Sequence, residues 1–380
     1  MNFDLTAEQK MLQDEVRKFA LKELEPVSAE IDKSGEFPWA NIKKLAKLGL
    51  MGIVVPEKYG GAGSDFVSLA VAVEEISRVC ASTGVIVAVN NSLCAYPIYH
   101  FGNEKQRQKY LPSLCNGEKI GALAVTEPNT GSDVASMETT ARIDGNYYIL
   151  NGTKRFITNG RESGTFVVFA FTNKELKHRG ISAFIVERDT PGFSLGKHED
   201  LLGIRATANC ELIFEDAKIP KENLLGKEGD GFKTCMHTFD VSRIDIAAQA
   251  VGLAQGAFDA ALKYSQERKA FGQPLCEFEM VQAMIAEMAT HIQAARFLVY
   301  YAAFCKDKGV ERFSKEAAMA KWFAAETAME ATRKATQIYG GYGFTKDYPV
   351  ERYYRDAKIM ELYEGTSEIQ KIVIARSFLK

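Results

Sequence analysis

Apolar residues recur at helical spacing along the first part of the chain. Leu12, Val16 and Phe19 follow i, i+4 and i+7 spacing, so they form one apolar stripe on a predicted helix. Residues 6–9 have the Thr and Gln spacing of a capping box, which predicts that this helix begins there. Later apolar runs continue the pattern, and we therefore predict an N-terminal α-helical domain over residues 1–119.

The pattern changes from helical to β near residue 120. β-branched and aromatic residues dominate several short runs, such as 165–172, as expected of buried strands. Asp144-Gly145 and Asn151-Gly152 each lie between such runs and predict hairpin turns. The region 120–228 is therefore predicted to be a middle β domain.

Helical spacing returns in the C-terminal part of the chain. The stretches 244–268, 281–307 and 314–339 predict three long helices, and Gly340-Gly341 provides a stop after the last one. Such helices fit an antiparallel bundle, so we predict a C-terminal α-helical bundle over residues 229–380. The chain as a whole is predicted to be α+β and mostly α.

The composition narrows the classes of function. The 380 residues carry a formal net charge of −2, with 46% hydrophobic and 25% charged residues, which is ordinary for a globular protein. The small charge argues against nucleic-acid binding through a broad basic field. No apolar run approaches the ~18–20 residues that span a bilayer. The N-terminus lacks a secretory signal, so we expect a cytoplasmic protein or, in a processed form, a protein of the mitochondrial matrix.

Cysteine and histidine spacing indicates neither a metal site nor a disulfide framework. The seven cysteines lie at wide intervals without CxxC spacing, and the five histidines are dispersed. The chain also lacks the GxGxxG, Walker and GxSxG patterns. These absences disfavour a Rossmann dehydrogenase, a kinase and an α/β-hydrolase.

Two polar segments follow predicted strands. Residues 124–133 combine hydroxyls, a glycine and backbone N–H groups, which can cradle a phosphate or face a polar ring. A polar turn with a helix cap is the alternative, and composition alone favours it. Phe156 and Thr158 come at the end of a predicted strand, where they could cover a flat ring or, in the case of Phe156, belong to the core.

Two further segments carry a cation, glycines and a carboxylate. Arg268, with Phe271 and Phe278, could hold a pyrophosphate, or Arg268 could be a solvated helix-end residue. The three glycines within 340–343 allow a ligand close to the backbone. Glu364 lies between a tyrosine and a glycine, before a Thr-Ser helix start. In a dry pocket it could be a general base, and otherwise it is a carboxylate beside a helix dipole.

Taken together, these segments resemble the acyl-CoA dehydrogenase family, in particular its short-chain, butyryl-CoA dehydrogenase-like members. The Thr-Glu-Pro…Gly-Ser-Asp, Phe-Ile-Thr-Asn, Arg…Phe-Gly, Gln-Ile-x-Gly-Gly-x-Gly and Tyr-Glu-Gly-Thr-Ser segments follow the family's order over essentially the whole chain. The resemblance implies a β-barrel-like middle domain, a C-terminal four-helix bundle and FAD as cofactor. It also implies a homotetramer built as a dimer of dimers.

The resemblance assigns binding residues as well. The implied cofactor set, part of which would come from a neighbouring subunit, comprises Leu123, Val125, Thr126, Gly131, Ser132, Phe156, Ile157, Thr158, Arg268, Phe271, Phe278, Glu279, Gln337, Ile338, Gly340, Gly341, Thr366, Ser367 and Glu368. The implied substrate set comprises Ser132, Asp240, Arg243, Tyr363, Gly365, Asn91 and Cys94, with Asp240 and Arg243 at the CoA moiety. Phe156 replaces a tryptophan common in the family, and Glu279 replaces a common glutamine.

The chemistry that the resemblance implies centres on Glu364. This carboxylate would take the α-proton of an acyl-CoA while a hydride leaves the β-carbon for flavin N5, which yields a 2-enoyl-CoA. The electrons would then pass to electron-transfer flavoprotein. Some members place their base on a bundle helix, at the position of Ser242 here; a serine cannot serve, and this supports Glu364.

Substrate choice is expected to depend on the floor of the acyl pocket, near residues 90–94. No arginine lies in 90–96 to pair with a second carboxylate, so we predict a short-chain or compact (branched or alicyclic) acyl group. Asn91 could meet a polar acyl group or be hydrogen-bonded within its helix. The alternative functions are an enoyl-CoA reductase coupled to electron-transfer flavoprotein, an acyl-CoA oxidase, which is typically longer, and a catalytically silent binding protein.

Overall fold

The computed structural model describes residues 4–379, with helices at both ends of the chain and a β-sheet between them. Residues 1–3 and Lys380, which the predicted domains and the judgement on a secretory signal include, lie outside the described residues. The N-terminal helices are α1 (Ala7–Phe19), α2 (Glu25–Ser34), α3 (Trp39–Lys47), α4 (Phe66–Ser77), α5 (Ala81–Ala88), α6 (Tyr96–Phe101) and α7 (Glu104–Cys115). π-helical segments at Ala20–Leu24 and Val89–Ala95 join α1 to α2 and α5 to α6. The predicted capping box is confirmed, since the Thr6 hydroxyl accepts the Gln9 N–H at 3.2 Å.

The middle region forms one mixed eight-stranded sheet. Its strands are β1 (Ile120–Ala124), β2 (Thr140–Asp144), β3 (Tyr147–Ile157), β4 (Ser163–Phe171), β5 (Ile181–Glu187), β6 (Phe193–His198), β7 (Cys210–Pro220) and β8 (Leu224–Leu225). They lie in the order β6-β7-β3-β2-β4-β5-β8, and β1 runs parallel to β4. Side chains of β4, β5 and β7, among them Phe166, Phe184 and Phe214, pack in one hydrophobic core. This arrangement agrees with the predicted barrel-like middle domain.

One of the two predicted hairpin turns is wrong. The turn after Asp144 is present between β2 and β3. Asn151 and Gly152 instead lie inside β3, where its register against β7 shifts. Gly152 has a φ of 145°, and a Cβ there would lie 2.5 Å from Thr139 Oγ1. The glycine therefore serves a bulge packed closely against Thr139 rather than a turn.

The C-terminal region contains the predicted helical bundle. Its elements are α8 (Gly231–Glu267), β9 (Lys269–Ala270), β10 (Gln273–Pro274), α9 (Glu279–Asp307), α10 (Ser314–Tyr339), α11 (Pro349–Ala357) and α12 (Ser367–Phe378). Helix α10 has its predicted bounds, whereas α8 begins at Gly231, well before the predicted stretch 244–268. Helices α8, α9, α10 and α12 form the bundle. Among residues 4–379, no helix is long and apolar enough to cross a membrane.

Helix α8 packs against elements of all three regions. It packs against α9 and α10 of the bundle, α4 and α5 of the N-terminal region, and β5 of the sheet. Gly252 permits the close approach of α4, because a Cβ there would lie 2.1 Å from the carbonyl oxygen of Glu74. Side chains on α8 can therefore face a site formed between all three regions.

Candidate active site

A cavity of about 590 Å³ lies where α5, the sheet and the bundle meet. The predicted site residues that line it are Leu123, Val125, Thr126, Gly131, Ser132, Phe156, Ile157, Thr158, Arg243, Tyr363, Glu364, Gly365 and Thr366. Another part of the lining is apolar and includes Val85, Val89, Leu93, Phe239 and Ile246. Segments far apart in the sequence, carrying hydroxyls, aromatic rings and a carboxylate, thus meet around one cavity.

Glu364 lies in a tight reversal between a short 3₁₀ turn, Lys358–Glu361, and α12. Its φ is 54° and that of Gly365 is 90°, so two successive residues adopt left-handed backbone conformations. The Thr366 hydroxyl then caps α12 by accepting the Ile369 N–H at 3.3 Å. A left-handed glutamate costs about 1–3 kcal/mol, and such strain persists only where the surroundings fix the backbone.

Three side chains from other elements fix this reversal through its carbonyl oxygens. Gln370 donates to Glu364 O at 3.0 Å and to Gly365 O at 2.9 Å. Arg243 Nε donates to Glu364 O at 3.3 Å, and Lys321 Nζ donates to Gly365 O at 2.7 Å. Lys321 is fully buried, and burial lowers its pKa to about 7. The backbone at Glu364 is therefore held by α8, α10 and α12 together.

The Glu364 carboxyl is poised to take a proton. Burial raises its pKa above the usual value, while Ser242, Arg243 and Lys321 oppose that rise. Ser242 contributes a direct hydrogen bond, with its hydroxyl donating to Glu364 Oε2 at 2.5 Å. A carboxylate whose pKa is raised is a stronger base than a solvated one.

The raised pKa predicts the acid limb of any reaction in which Glu364 is the base. Only the carboxylate accepts a proton, so activity should fall as pH drops through the pKa of Glu364. We expect a limb midpoint above 4.5, the ordinary value for glutamate, in a pH profile of anaerobic single-turnover rates. A midpoint at or below 4.5 would contradict the buried, desolvated carboxyl.

A buried ion pair anchors the loop that carries Thr126 and Ser132. Lys154 Nζ lies 2.7 Å from Glu127 Oε1, with the two side chains 0% and 2% exposed. Glu127 also accepts the N–H groups of Glu138 and Thr139. Burial alone would raise the pKa of Glu127, but Lys154 and these donors hold it below the usual value. Burial lowers the pKa of Lys154; we take the pair as ionised, because several donors converge on Glu127.

The cavity wall offers unused hydrogen-bonding groups. The Thr126, Ser132 and Thr158 hydroxyls all line the cavity, and none makes a side-chain hydrogen bond within residues 4–379. A Cβ at Gly131 would meet nothing within 4 Å, so the backbone there is open to a ligand. Such groups suit a flat, polar-edged ring system like that of a flavin, and the residues therefore fit the implied cofactor.

Phe156 belongs to the cavity wall and not to the core. It has a φ of 58° near the end of β3 and is 53% exposed. The Arg155 guanidinium lies 5.0 Å from the centroid of its ring. The alternative of a plain core phenylalanine is therefore wrong, and the ring is available to pack against a ligand.

The remaining predicted cofactor residues do not line this cavity. Phe271, on the β9–β10 turn, is 97% exposed and lies with Phe278 and Glu279 around a second pocket. The Arg268 guanidinium lies 5.5 Å from the ring centroid of Tyr342, which connects the Arg268 segment to the end of α10. That end carries the predicted residues Gln337, Ile338, Gly340 and Gly341. Ser367 and Glu368 lie in the first turn of α12, outside the cavity lining.

The predicted CoA-binding residues form one polar group on α8. Arg243 Nη1 donates to Asp240 Oδ1 at 2.8 Å, and Ser314 donates to the other oxygen of Asp240. Arg243 lines the cavity, whereas Asp240 does not. Tyr363 lines the cavity with its hydroxyl donating to Gln249 Oε1.

Asn91 and Cys94 are corrections to the predicted substrate set. The Asn91 amide donates to Leu50 O at 3.0 Å and Val87 O at 2.9 Å, and its oxygen accepts the Ile53 N–H at 2.8 Å. These bonds occupy the Asn91 amide, so the alternative of a hydrogen-bonded structural residue is the correct one. Cys94 is also fully buried, with its thiol donating to a backbone carbonyl of β4 at 3.7 Å, and neither residue lines the cavity.

Several polar residues of the site were not predicted from the sequence. Ser242 bonds to the Glu364 carboxylate, and Gln249 bonds to the Tyr363 hydroxyl. Lys321 and Gln370 both donate to the carbonyl oxygen of Gly365, just before α12. The available signal was a polar residue on an otherwise apolar helical face, as with Lys321 among the buried alanines of α10. That signal marks a buried polar contact but does not identify its partner.

Sequence models of one family match most of the chain. The N-terminal domain of acyl-CoA dehydrogenases matches residues 6–118, the middle domain matches 122–217, and the C-terminal domain matches 229–379.

Individual proteins match over essentially the full length. The short-chain specific acyl-CoA dehydrogenase of Clostridium acetobutylicum is 52% identical and covers 99% of each chain. The acryloyl-CoA reductase (NADH) of Anaerotignum propionicum is 49% identical, covering 100% of this chain and 96% of that protein. A solved structure presented as an electron transferring flavoprotein of Acidaminococcus fermentans is 51% identical, with a TM-score of 0.98 and full coverage of both chains.

Proposed function

The chain belongs to the acyl-CoA dehydrogenase family of oxidoreductases, and from that premise we propose that it desaturates a short-chain or compact acyl-CoA at the α,β-bond. One observation carries the proposal: the half-buried Glu364 carboxyl opens into the cavity that Thr126, Ser132 and Thr158 also line. Oxidation of a CH–CH bond needs a base that takes one hydrogen as a proton and a bound cofactor that accepts the other. Glu364 and the free hydroxyl groups around the same cavity could provide the base and the cofactor-binding site.

The residues present fit FAD as the cofactor. When bound, FAD would supply the two-electron acceptor for the substrate's β-hydrogen. We propose that Thr126, Ser132 and Thr158 hold its polar edges and that Phe156 packs against a ring face. The exposed Phe271, with Arg268, suits contact with the cofactor of an adjacent subunit in a homotetramer, since a phenylalanine 97% exposed favours burial against a partner.

Glu364 would break the α-C–H bond and form an O–H bond on its own carboxyl. Its backbone N–H has no acceptor within the described residues, and it is proposed to donate to the thioester oxygen. That hydrogen bond would stabilise the negative charge that develops on the oxygen as the proton leaves. The left-handed conformation of Glu364 lets one residue present both its carboxylate and its N–H to the substrate.

The electron acceptor and the direction of reaction form a separate part of the proposal. Similarity to the Acidaminococcus fermentans structure supports electron-transfer flavoprotein as acceptor, and similarity to the acryloyl-CoA reductase supports enoyl-CoA reduction as the second candidate. Mixing the butyryl-CoA-reduced protein anaerobically with oxidised electron-transfer flavoprotein should return the flavin spectrum to its oxidised form. Rapid reoxidation by oxygen instead would favour an oxidase. We also propose that the protein is located in the cytoplasm or, in a processed form, in the mitochondrial matrix.

An acyl-CoA panel tests the substrate class. The cavity's apolar lining, with Val85, Val89, Leu93 and Ile246, suits an uncharged acyl group of modest size. We expect the purified protein to be yellow and to bleach anaerobically with butyryl-CoA and compact branched or alicyclic acyl-CoA, and more slowly with long-chain acyl-CoA. Faster turnover of a long-chain substrate than of butyryl-CoA would overturn the predicted substrate class.

A further inference from the structure

A row of buried polar residues runs along one face of α8 beneath the catalytic segment. Ser242, Asp245 and Gln249 follow i, i+3 and i+7 spacing, so their side chains point in one direction. All three are buried, with Asp245 and Gln249 fully inaccessible. Polar groups in such a position require partners or a specific role.

The two outer members of the row have partners on the catalytic segment. Ser242 donates to the Glu364 carboxylate, and Gln249 accepts from the Tyr363 hydroxyl. Asp245 lies between them on the same face, and therefore beneath the Tyr363–Glu364 pair. Neither oxygen of Asp245 has a hydrogen-bond partner in the described part of the chain.

Asp245 also forms no ion pair with any residue of the described range 4–379. The π-helical segment Val89–Ala95 packs against α8 and places Ser92 where it influences Asp245, but the Ser92 hydroxyl donates to Ala88 O at 2.9 Å. Leaving an ionised carboxylate buried without a donor or cation costs several kcal/mol, so such a group keeps its proton.

We propose that Asp245 is a positioning residue paired with Glu364, and that the two carboxyl groups share a single negative charge behind the acyl cavity. Glu364 holds the charge because Ser242, Arg243 and Lys321 surround it, and Asp245 holds the proton. The pair would keep Glu364 ionised without placing a second charge beside the substrate. This inference rests on the proposed role of Glu364.

The titration of Asp245 agrees with this arrangement. Burial raises its pKa to about 8, Ser92 opposes the rise, and the charge of Glu364 adds to it. Other charged groups on elements packed against α8 include Lys321 of α10, Arg352 and Asp356 of α11, and Glu74 of α4, which pairs with Arg296 of α9. The charge of Glu364 is the one that raises the pKa of Asp245.

Infrared difference spectroscopy on the purified holoenzyme tests the protonation state directly. A protonated carboxyl has a carbonyl stretching band that a carboxylate lacks. Wild-type minus Asp245→Asn spectra should contain such a band near neutral pH, and it should fade as pH rises through about 8. Absence of the band near neutral pH would overturn the proposal.

The Glu364→Gln variant tests the coupling and also serves if Asp245→Asn fails to fold. It keeps Asp245 and removes the partner's charge, so the midpoint at which the band fades should fall by about one pH unit or more, the scale of coupled titrations. An unchanged midpoint would contradict the shared charge. The readout does not depend on turnover: if Glu364→Gln stays active while the midpoint shifts, the proposed function fails and the coupling stands.

Discussion

Replacement of Glu364 by glutamine should lower the rate of anaerobic flavin bleaching by butyryl-CoA by at least about two orders of magnitude, the usual scale of general-base catalysis. The amide keeps the size of the carboxyl but accepts no proton, so the loss should fall on the chemical step and not on substrate binding. Single-turnover absorbance measurements separate the two, because they give the rate at saturating substrate and the apparent dissociation constant independently.

Glu361→Gln is the matched control for this substitution. Glu361 lies three residues earlier, outside the cavity lining, and pairs with Lys358 at 2.6 Å. Its replacement should leave the bleaching rate within about twofold, because partly exposed ion pairs contribute little energy. Equal rates in wild type and Glu364→Gln would remove Glu364 from its proposed role.

Replacement of Lys154 by methionine should destabilise the protein by about 3–5 kcal/mol, because it leaves the buried Glu127 carboxylate without its cation. The same change should weaken FAD retention, since Glu127 fixes the loop that carries Thr126 and Ser132. Denaturant unfolding gives the loss of stability, and the flavin absorbance remaining after dialysis gives the loss of cofactor.

Two variants make this test specific to the buried charge. Lys154→Met combined with Glu127→Gln removes both charges but keeps an acceptor for the Glu138 and Thr139 N–H groups, and it should recover part of the lost stability because no buried charge is left unpaired. Lys18→Met breaks an exposed pair with Glu15, each side chain 72% exposed, and should leave the unfolding midpoint essentially unchanged, because solvent screens such a pair. A Lys154→Met protein as stable as wild type would show that the pair does not anchor the loop.

The helical and β regions could be recognised from the sequence because apolar spacing differs between them. Helix α10 was predicted at its bounds from a regular apolar face, whereas α8 extends back to Gly231, beyond the predicted apolar stretch 244–268. The Asn151-Gly152 dipeptide has the composition of a turn, but packing against Thr139 selects a bulge. Local composition could not reveal that tertiary contact.

The site shows the same division between local pattern and long-range contact. Glu364, Thr126 and Ser132 stand in recognisable segments, and the structure brings them to one cavity. Asn91 was ambiguous because only the fold shows that its amide is occupied by backbone groups of residues 50–53 and 87. The role proposed for Asp245 could not be predicted, because it depends on both carboxyl oxygens lacking a hydrogen-bond partner among residues 4–379, which a sequence does not display.

A crystal structure of the protein with FAD and a non-oxidisable short-chain acyl-CoA analogue tests the central claim most directly. The quantity to measure is the distance from the Glu364 carboxylate to the analogue's α-carbon. We predict about 3–3.5 Å, the separation of a near-attack geometry, with the flavin ring on the opposite face of the acyl chain. A carboxylate still bonded to Ser242 and well beyond that distance, with the analogue bound, would contradict the account.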